Sequence, residues 1–209
     1  MAMVFPKRVL TLLLVTSFLA LAASCVESRR PLSNEETSQV DQRLIGTWLP
    51  EGDATAGYRV TRSVQTPNAL DLIVTDANGK GNTLLFTTTI QSKAYLSVKD
   101  LYDEGQKEGP LAYTIYQYQF LDNDTVQLRG METDVIARAI ADKRLGGEIR
   151  VSQRKSKRLF GLIESRKLVE ERTPIITDTP EGIARYLRAH ADECYPAQTD
   201  SMLTFKRQK

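Results

Sequence analysis

From Ala112 to Leu121 the chain alternates between two kinds of side chain, a pattern that suits a strand and not a helix. Tyr116, Tyr118 and Phe120 fall on one face, and Gln117 and Gln119 fall on the other. Successive side chains of a β-strand point to opposite sides, so this stretch reads as a strand with one apolar face to bury. The turn Asp122-Asn123-Asp124 follows, and Val126 and Leu128 then continue the alternation. A strand that buries one face needs neighbours that do the same.

Those neighbours are in the sequence. Leu44 to Leu49 reads as an entering strand, and Pro50 to Gly57 is rich in turn residues. Tyr58, Val60 and Val64 alternate with Arg59, Thr61 and Ser63. Ala69 to Thr75 is rich in branched apolar residues, and Asp76 to Asn82 reads as a hairpin loop because Asn and Gly tolerate positive φ. Leu84, Phe86, Thr88 and Ile90 alternate with Leu85, Thr87, Thr89 and Gln91; Ala94 to Leu101 is a further strand, and Tyr102 to Pro110 is a charged loop. Repeated one-sided strands on short turns predict an antiparallel sheet with one buried face.

Two helices interrupt the strands. Thr133 or Asp134 caps the first, which runs to about Leu145 with Val135, Ile136, Ala139 and Ile140 as its apolar stripe and Gly146-Gly147 as its stop. Thr179-Pro180-Glu181 starts the second, since proline suits the first helical position and an acid suits the first turn. Ile183, Ala184, Leu187 and Ala191 form its buried side. Between the helices, Glu148 to Gln153 and Lys157 to Glu164 read as a hairpin, and Met202 to Phe205 reads as the last strand.

The N-terminal stretch has a different logic. Lys7 and Arg8 precede Val9 to Ala23, fifteen residues without a charge. As a helix this run rises about 22 Å, short of the ~30 Å hydrocarbon core, so it reads as an export leader and not as a permanent span. It ends in Ala22-Ala23-Ser24-Cys25, which resembles the lipobox of bacterial lipoproteins. The usual leucine three places before the cysteine is replaced by Ala22, with Leu21 one place earlier.

The resemblance implies a signal peptide over 1–24, a diacylglyceryl group on the Cys25 sulfur and acylation of the new amine. A membrane is then the first partner, held by several chains because one acyl chain alone holds only marginally. Val26 after Cys25, in place of an aspartate, implies sorting to the periplasmic side of the outer membrane in a host with two membranes. Val26 to Asp41 is polar and lacks apolar periodicity, so 25–41 reads as lipidated cysteine plus tether, with a short helix around Glu35 to Leu44 and the folded domain over 42–209.

A second resemblance concerns the fold. Gly46-Thr47-Trp48, opening a series of short antiparallel strands, resembles the first motif of lipocalins and related barrels. In those proteins the tryptophan closes one end of the barrel, and an arginine from near the chain end packs across its face. The resemblance gives those parts to Trp48 and Arg207. It implies a mainly β (α+β) fold, an antiparallel lipocalin-like barrel or half-barrel with two short helices; another β-rich sandwich is the alternative. The second lipocalin motif, Thr-Asp-Tyr, is absent, and the helix after residue 133 has no counterpart in a plain lipocalin.

Charge excludes one class of partner. Of 28 basic residues the leader takes Lys7 and Arg8, which leaves 26 against 26 acids, and a neutral domain gives no footprint for nucleic acid. With Cys25 lipidated, Cys194 has no partner for a disulfide.

No His-Glu-x-x-His, Gly-x-Ser-x-Gly or Walker loop is present, so the sequence offers no catalytic set, metal site or cofactor site. His190 and Cys194 lie four apart on one helix face, which reads as an exposed histidine and a small buried thiol. Tyr116, Tyr118 and Phe120 line a small apolar pocket if the barrel has an open lumen, and fill the core otherwise.

Arg150, Arg154, Lys155, Lys157 and Arg158, with Arg166 and Lys167 beyond them, face only Glu164 as an acid. They suit contact with anionic headgroups, or serve as charges that keep a strand edge from pairing. The expected function is a non-catalytic binding module for a small apolar or amphipathic ligand or an envelope component. An accessory with a filled barrel that acts through protein contacts is the alternative.

Overall fold

The computed structural model describes residues 26–52, 56–76, 79–99, 112–158, 163–199 and 201–209, without the side chains of 76, 79–80, 153–158 and 163–171. The strands are β1 (Glu27–Ser28), β2 (Gly46–Pro50), β3 (Gly57–Arg62), β4 (Leu70–Asp76), β5 (Gly79–Ile90), β6 (Lys93–Lys99), β7 (Tyr113–Phe120), β8 (Thr125–Arg129), β9 (Gly147–Arg158), β10 (Ile163–Ile176) and β11 (Met202–Arg207). The helices are α1 (Thr133–Ala141) and α2 (Pro180–Cys194).

Eight of these strands form a ring. β2 through β8 pair in sequence, each antiparallel to the next, and β11 joins β8 back to β2. The result is the expected lipocalin-like architecture, a closed antiparallel barrel with two helices.

The three remaining strands extend it. β1 pairs antiparallel with the start of β7 and parallel with the end of β10, and β9 completes a long hairpin with β10. That hairpin differs from the sequence reading. Its strands run over 147–158 and 163–176, so Lys157 and Arg158, expected to open its second strand, end its first. The basic run carries no alternation that would mark where the chain reverses.

Two cores result. Inside the barrel lie Trp48, Val60, Leu70, Leu85, Leu96, Tyr118 and Val126, all buried. Outside it, α1 and α2 pack Ile136, Ala139, Ile183, Leu187 and Cys194 against Ile90, Tyr95 and Ile115 of the barrel wall and against Val26. The wall at β5 to β7 is therefore buried on both faces, where the sequence pattern predicted one.

Thr179 caps α2 by accepting the Gly182 amide at 3.1 Å, with Pro180 at the first helical position. α1 is shorter than expected. Its N-cap is Glu132, with no side-chain cap bond, and it ends at Ala141, where a turn through Lys143 (φ 58°) leads to β9.

The segment read as a tether belongs to the folded body. Val26 and Leu32 are buried in the outer core. Ser28, Ser33 and Ser38 are buried as well, and hydroxyl chemistry explains the last two. β4 begins at Leu70, opposite Leu85, so β5 beyond that point lacks a strand on this edge. Ser33 and Ser38 each donate to the Thr87 carbonyl at 3.1 Å, the Ser38 hydroxyl accepts the Thr87 amide at 3.0 Å, and the Gln39 amide also donates to Thr87. These serines take the place of the missing strand. In place of the expected helix there is only a 3-10 turn at Gln42–Leu44.

Candidate functional site

One end of the barrel is sealed, and the seal is built around Gly46-Thr47-Trp48. The 3-10 turn lies across this end. Asp41 caps it by accepting the Arg43 amide at 3.1 Å, and the Leu44 carbonyl accepts the Trp48 indole N–H at 2.7 Å. The Arg207 guanidinium stands 4.2 Å from the centre of the Trp48 ring and donates to the carbonyls of Ile45 (2.7 Å) and Arg43 (2.6 Å). Gly46 has a φ of 146°. A methyl group there would collide with the Arg207 guanidinium, so both backbone and space require glycine.

A second layer completes the seal. Asp41 takes two bonds from Arg43, at 3.0 and 2.7 Å, and one from the Tyr118 hydroxyl at 3.0 Å. Arg43 lies 4.5 Å over the Phe120 ring, which packs on both Trp48 and Tyr118. Burial alone would raise the Asp41 pKa, but the bonds from Arg43 and Tyr118 outweigh it and hold the carboxyl below its ordinary value. Burial and the neighbouring Asp41 charge push the Tyr118 phenol upward.

The opposite end, where β3, β5, β7 and β11 begin, has a different character. On five strands the inward residue nearer the seal is buried, and its inward neighbour nearer the other end is only half-buried. The pairs are Val60 and Tyr58, Leu70 and Leu72, Leu96 and Val98, Tyr118 and Tyr116, and Val126 and Leu128. Phe205 is also half-buried and meets Tyr58 edge-on at 5.2 Å. On these strands the side chains therefore grade from a buried aromatic floor to half-buried Tyr, Leu and Val; β5 departs from this, with Leu85 and Thr83 both buried, and the loops joining β2 to β3, β4 to β5 and β6 to β7 at this end include residues outside the described set.

The three aromatic residues singled out in the sequence sit at different depths in the barrel. Tyr116 stands in the half-buried wall, Tyr118 is in the floor with its hydroxyl on Asp41, and Phe120 is part of the seal. Sequence reasoning missed Asp41 and Arg43, because both lie in the stretch it assigned to a tether or its edge. An aspartate two residues before a basic side chain carries no signal unless the turn between them is seen.

Outside the barrel, Cys194 is fully buried, and burial pushes its thiol up to about 12. His190 stacks on Tyr186 at 4.7 Å and meets Glu193 at 3.2 Å, with no bond to Cys194. Among the described residues no group of three or more His, Cys, Asp or Glu side chains could hold a metal ion, and no helix is long and apolar enough to cross a membrane. An open groove of about 840 Å³ lies between the start of α1 and the end of α2. Glu132, Asp134 and Glu193 line it together with Val135, Pro196, Ala197 and Met202.

Arg150 on β9 makes a two-bond ion pair with Glu27, at 3.0 and 2.9 Å. The side chains of Arg154, Lys155, Lys157 and Arg158 lie outside the described set, although their backbone continues β9. Cys25 also lies outside the described residues.

No protein-family model matches the chain, and no curated protein matches it. Among solved structures, one that matches is the crystal structure of a DUF4909 family protein from Staphylococcus aureus subsp. aureus Mu50. It is 10% identical, covers 81% of this chain and 100% of its own, and superposes with a TM-score of 0.38.

Proposed function

We propose that this chain is a lipid-anchored, non-catalytic binding module that holds a small apolar or amphipathic molecule in the open half of its barrel. The observation that carries the reading is the stepwise exposure of Tyr58, Leu72, Val98, Tyr116 and Leu128 above a sealed floor. A barrel packed only for stability gains from burying such side chains completely, since each leaves part of its transfer free energy unrealised when half-exposed. Apolar walls with a few polar groups are what such ligands select. The anchor rests on Ala22-Ala23-Ser24-Cys25, and the location follows from it: the cell envelope, on the periplasmic side of the outer membrane where there are two membranes.

Native mass spectrometry of residues 26–209, purified from the envelope of the producing cell, tests this reading. An extra mass that disappears on denaturation is expected for the wild type, and its loss is expected for Val98→Trp, which fills the wall without touching the seal. The same extra mass on both proteins, or a bare wild type after incubation with total envelope lipid, sinks the carrier reading. A bare wild type that crosslinks to one envelope protein favours the accessory with a filled barrel.

A further inference from the structure

The groove between the start of α1 and the end of α2 lies outside the barrel, and the binding proposed above makes no use of it. Its volume of about 840 Å³ is in the range common for small-molecule sites. One bank is β11. Leu203 pairs with Leu128 of the barrel interior, so Met202 before it points outward, and there it is 39% exposed. Val135 and Pro196 add apolar surface to the groove.

The charges around this apolar surface have one sign. Glu132, Asp134 and Glu193 line the groove, and no lysine or arginine is among its described lining residues. Two arginines close by in the fold turn to other partners. Arg129 is opposite Met202 in register but donates to the Gln127 side chain at 3.1 Å, and Arg138 donates to the backbone carbonyl of Asp134 at 3.3 Å.

At α1 the acids have a local reason, because carboxylates suit a helix N-terminus. At α2 the reason is missing. The C-terminal end of a helix favours cations, yet the last turn of α2 holds Asp192 and Glu193 and no basic residue. Lys93 on β6 neutralises Asp192, whereas Glu193 on the groove reaches His190 at 3.2 Å and no lysine or arginine among the described residues. Thr133, also in the lining, has a buried hydroxyl oxygen with no hydrogen-bond partner among the described residues. An N–H donor in the groove would satisfy it, and a buried polar atom left unpaired is costly. The two banks are already fixed: the Glu132 side chain accepts the Thr199 hydroxyl instead of capping α1, and its amide donates to the Cys194 carbonyl at 2.9 Å.

We propose that this groove binds a small amphipathic amine, with the ammonium among Glu132, Asp134 and Glu193 and the apolar body on Met202 and Val135. A carboxylic acid of the same shape gains the apolar contact and meets three like charges, so the site selects by charge.

The chain from Val26 onward contains every described residue and two methionines, Met131 in the outer core and Met202 in the groove. With isotope-labelled methionine methyls each gives one NMR signal, and Met202→Leu identifies which is which. Hexylamine at neutral pH, where it is an ammonium, should shift the Met202 signal saturably and leave the Met131 signal in place. Hexanoate at the same ionic strength should shift it several-fold less. Asp134 and Glu193 are exposed, so Asp134→Asn and Glu193→Gln keep the fold, and each should weaken hexylamine binding roughly two- to fivefold. An amine that entered the barrel instead would leave the Met202 signal where it was. No Met202 shift at the highest soluble hexylamine concentration overturns the site. An equal shift with hexanoate, or unchanged affinity in the variant carrying both substitutions, overturns recognition of an amine.

Discussion

Replacing Arg207 by Met keeps an apolar stem over Trp48 and removes the charge. Four interactions then disappear: the cation over the indole at 4.2 Å, the donations to the Ile45 and Arg43 carbonyls, and a half-exposed ion pair with Asp124 at 3.6 Å that contributes least. The ring contact contributes about 0.5 to 2 kcal/mol, depending on how dry it is. Each charge-assisted bond contributes ~1.5 kcal/mol, the low end of its range, because the side chain is 25% exposed and water can replace part of it. Since these terms overlap, the expected loss is about 2 to 4 kcal/mol.

Arg207→Lys keeps a cation but not the planar fork that spans two carbonyls, so it should fall between the two. Gly46→Ala costs roughly 1 to 3 kcal/mol in backbone strain and also displaces the guanidinium. Once Arg207 is gone the second penalty vanishes, so Gly46→Ala and Arg207→Met should couple by about 1 kcal/mol or more. Urea unfolding of residues 26–209 reads all of this through Trp48, the single tryptophan. A loss below about 0.5 kcal/mol for Arg207→Met, or strict additivity with Gly46→Ala, refutes the sealing role.

The remaining predictions concern other parts of the molecule. Val26→Asp puts a carboxylate into the outer core and should cost about 3 kcal/mol or more in chemical denaturation; a change within ~0.5 kcal/mol would restore the tether reading. Cys194, with its thiol pushed up to about 12 and fully buried, should resist iodoacetamide in the native protein and react promptly in guanidinium, and native alkylation would contradict its placement. Asp41 has a folded pKa below its ordinary 3.8, so its contribution is complete at neutral pH and disappears as the pH falls through that lowered value. Acid titration of Asp41→Asn should therefore show a smaller stability difference between pH 6 and pH 2 than the wild type, and equal slopes would count against the Asp41–Arg43–Tyr118 cluster.

What the sequence disclosed depended on which force buries each segment. β7 was legible because Tyr116, Tyr118 and Phe120 alternate with glutamines, and α2 was legible because Thr179 and Pro180 are local start signals. The closed ring and the Trp48–Arg207 contact join residues far apart in the chain, and only a three-residue motif pointed toward them. Asp41 and Arg43 left no trace, because a polar pair gains its meaning from the Tyr118 and Phe120 rings beneath it.

The stretch 26–41 was misread for a stricter reason. Hydrophobic periodicity detects segments that fold by burying apolar surface, and this one folds largely by satisfying β5. Ser33 and Ser38 hold the Thr87 amide and carbonyl that no strand covers, and an unpaired buried backbone group costs as much as a lost hydrogen bond. Serine is a polar residue in a composition count and a strand substitute in this structure. A segment that completes the barrel edge cannot also act as a free tether, which is the role its composition suggested.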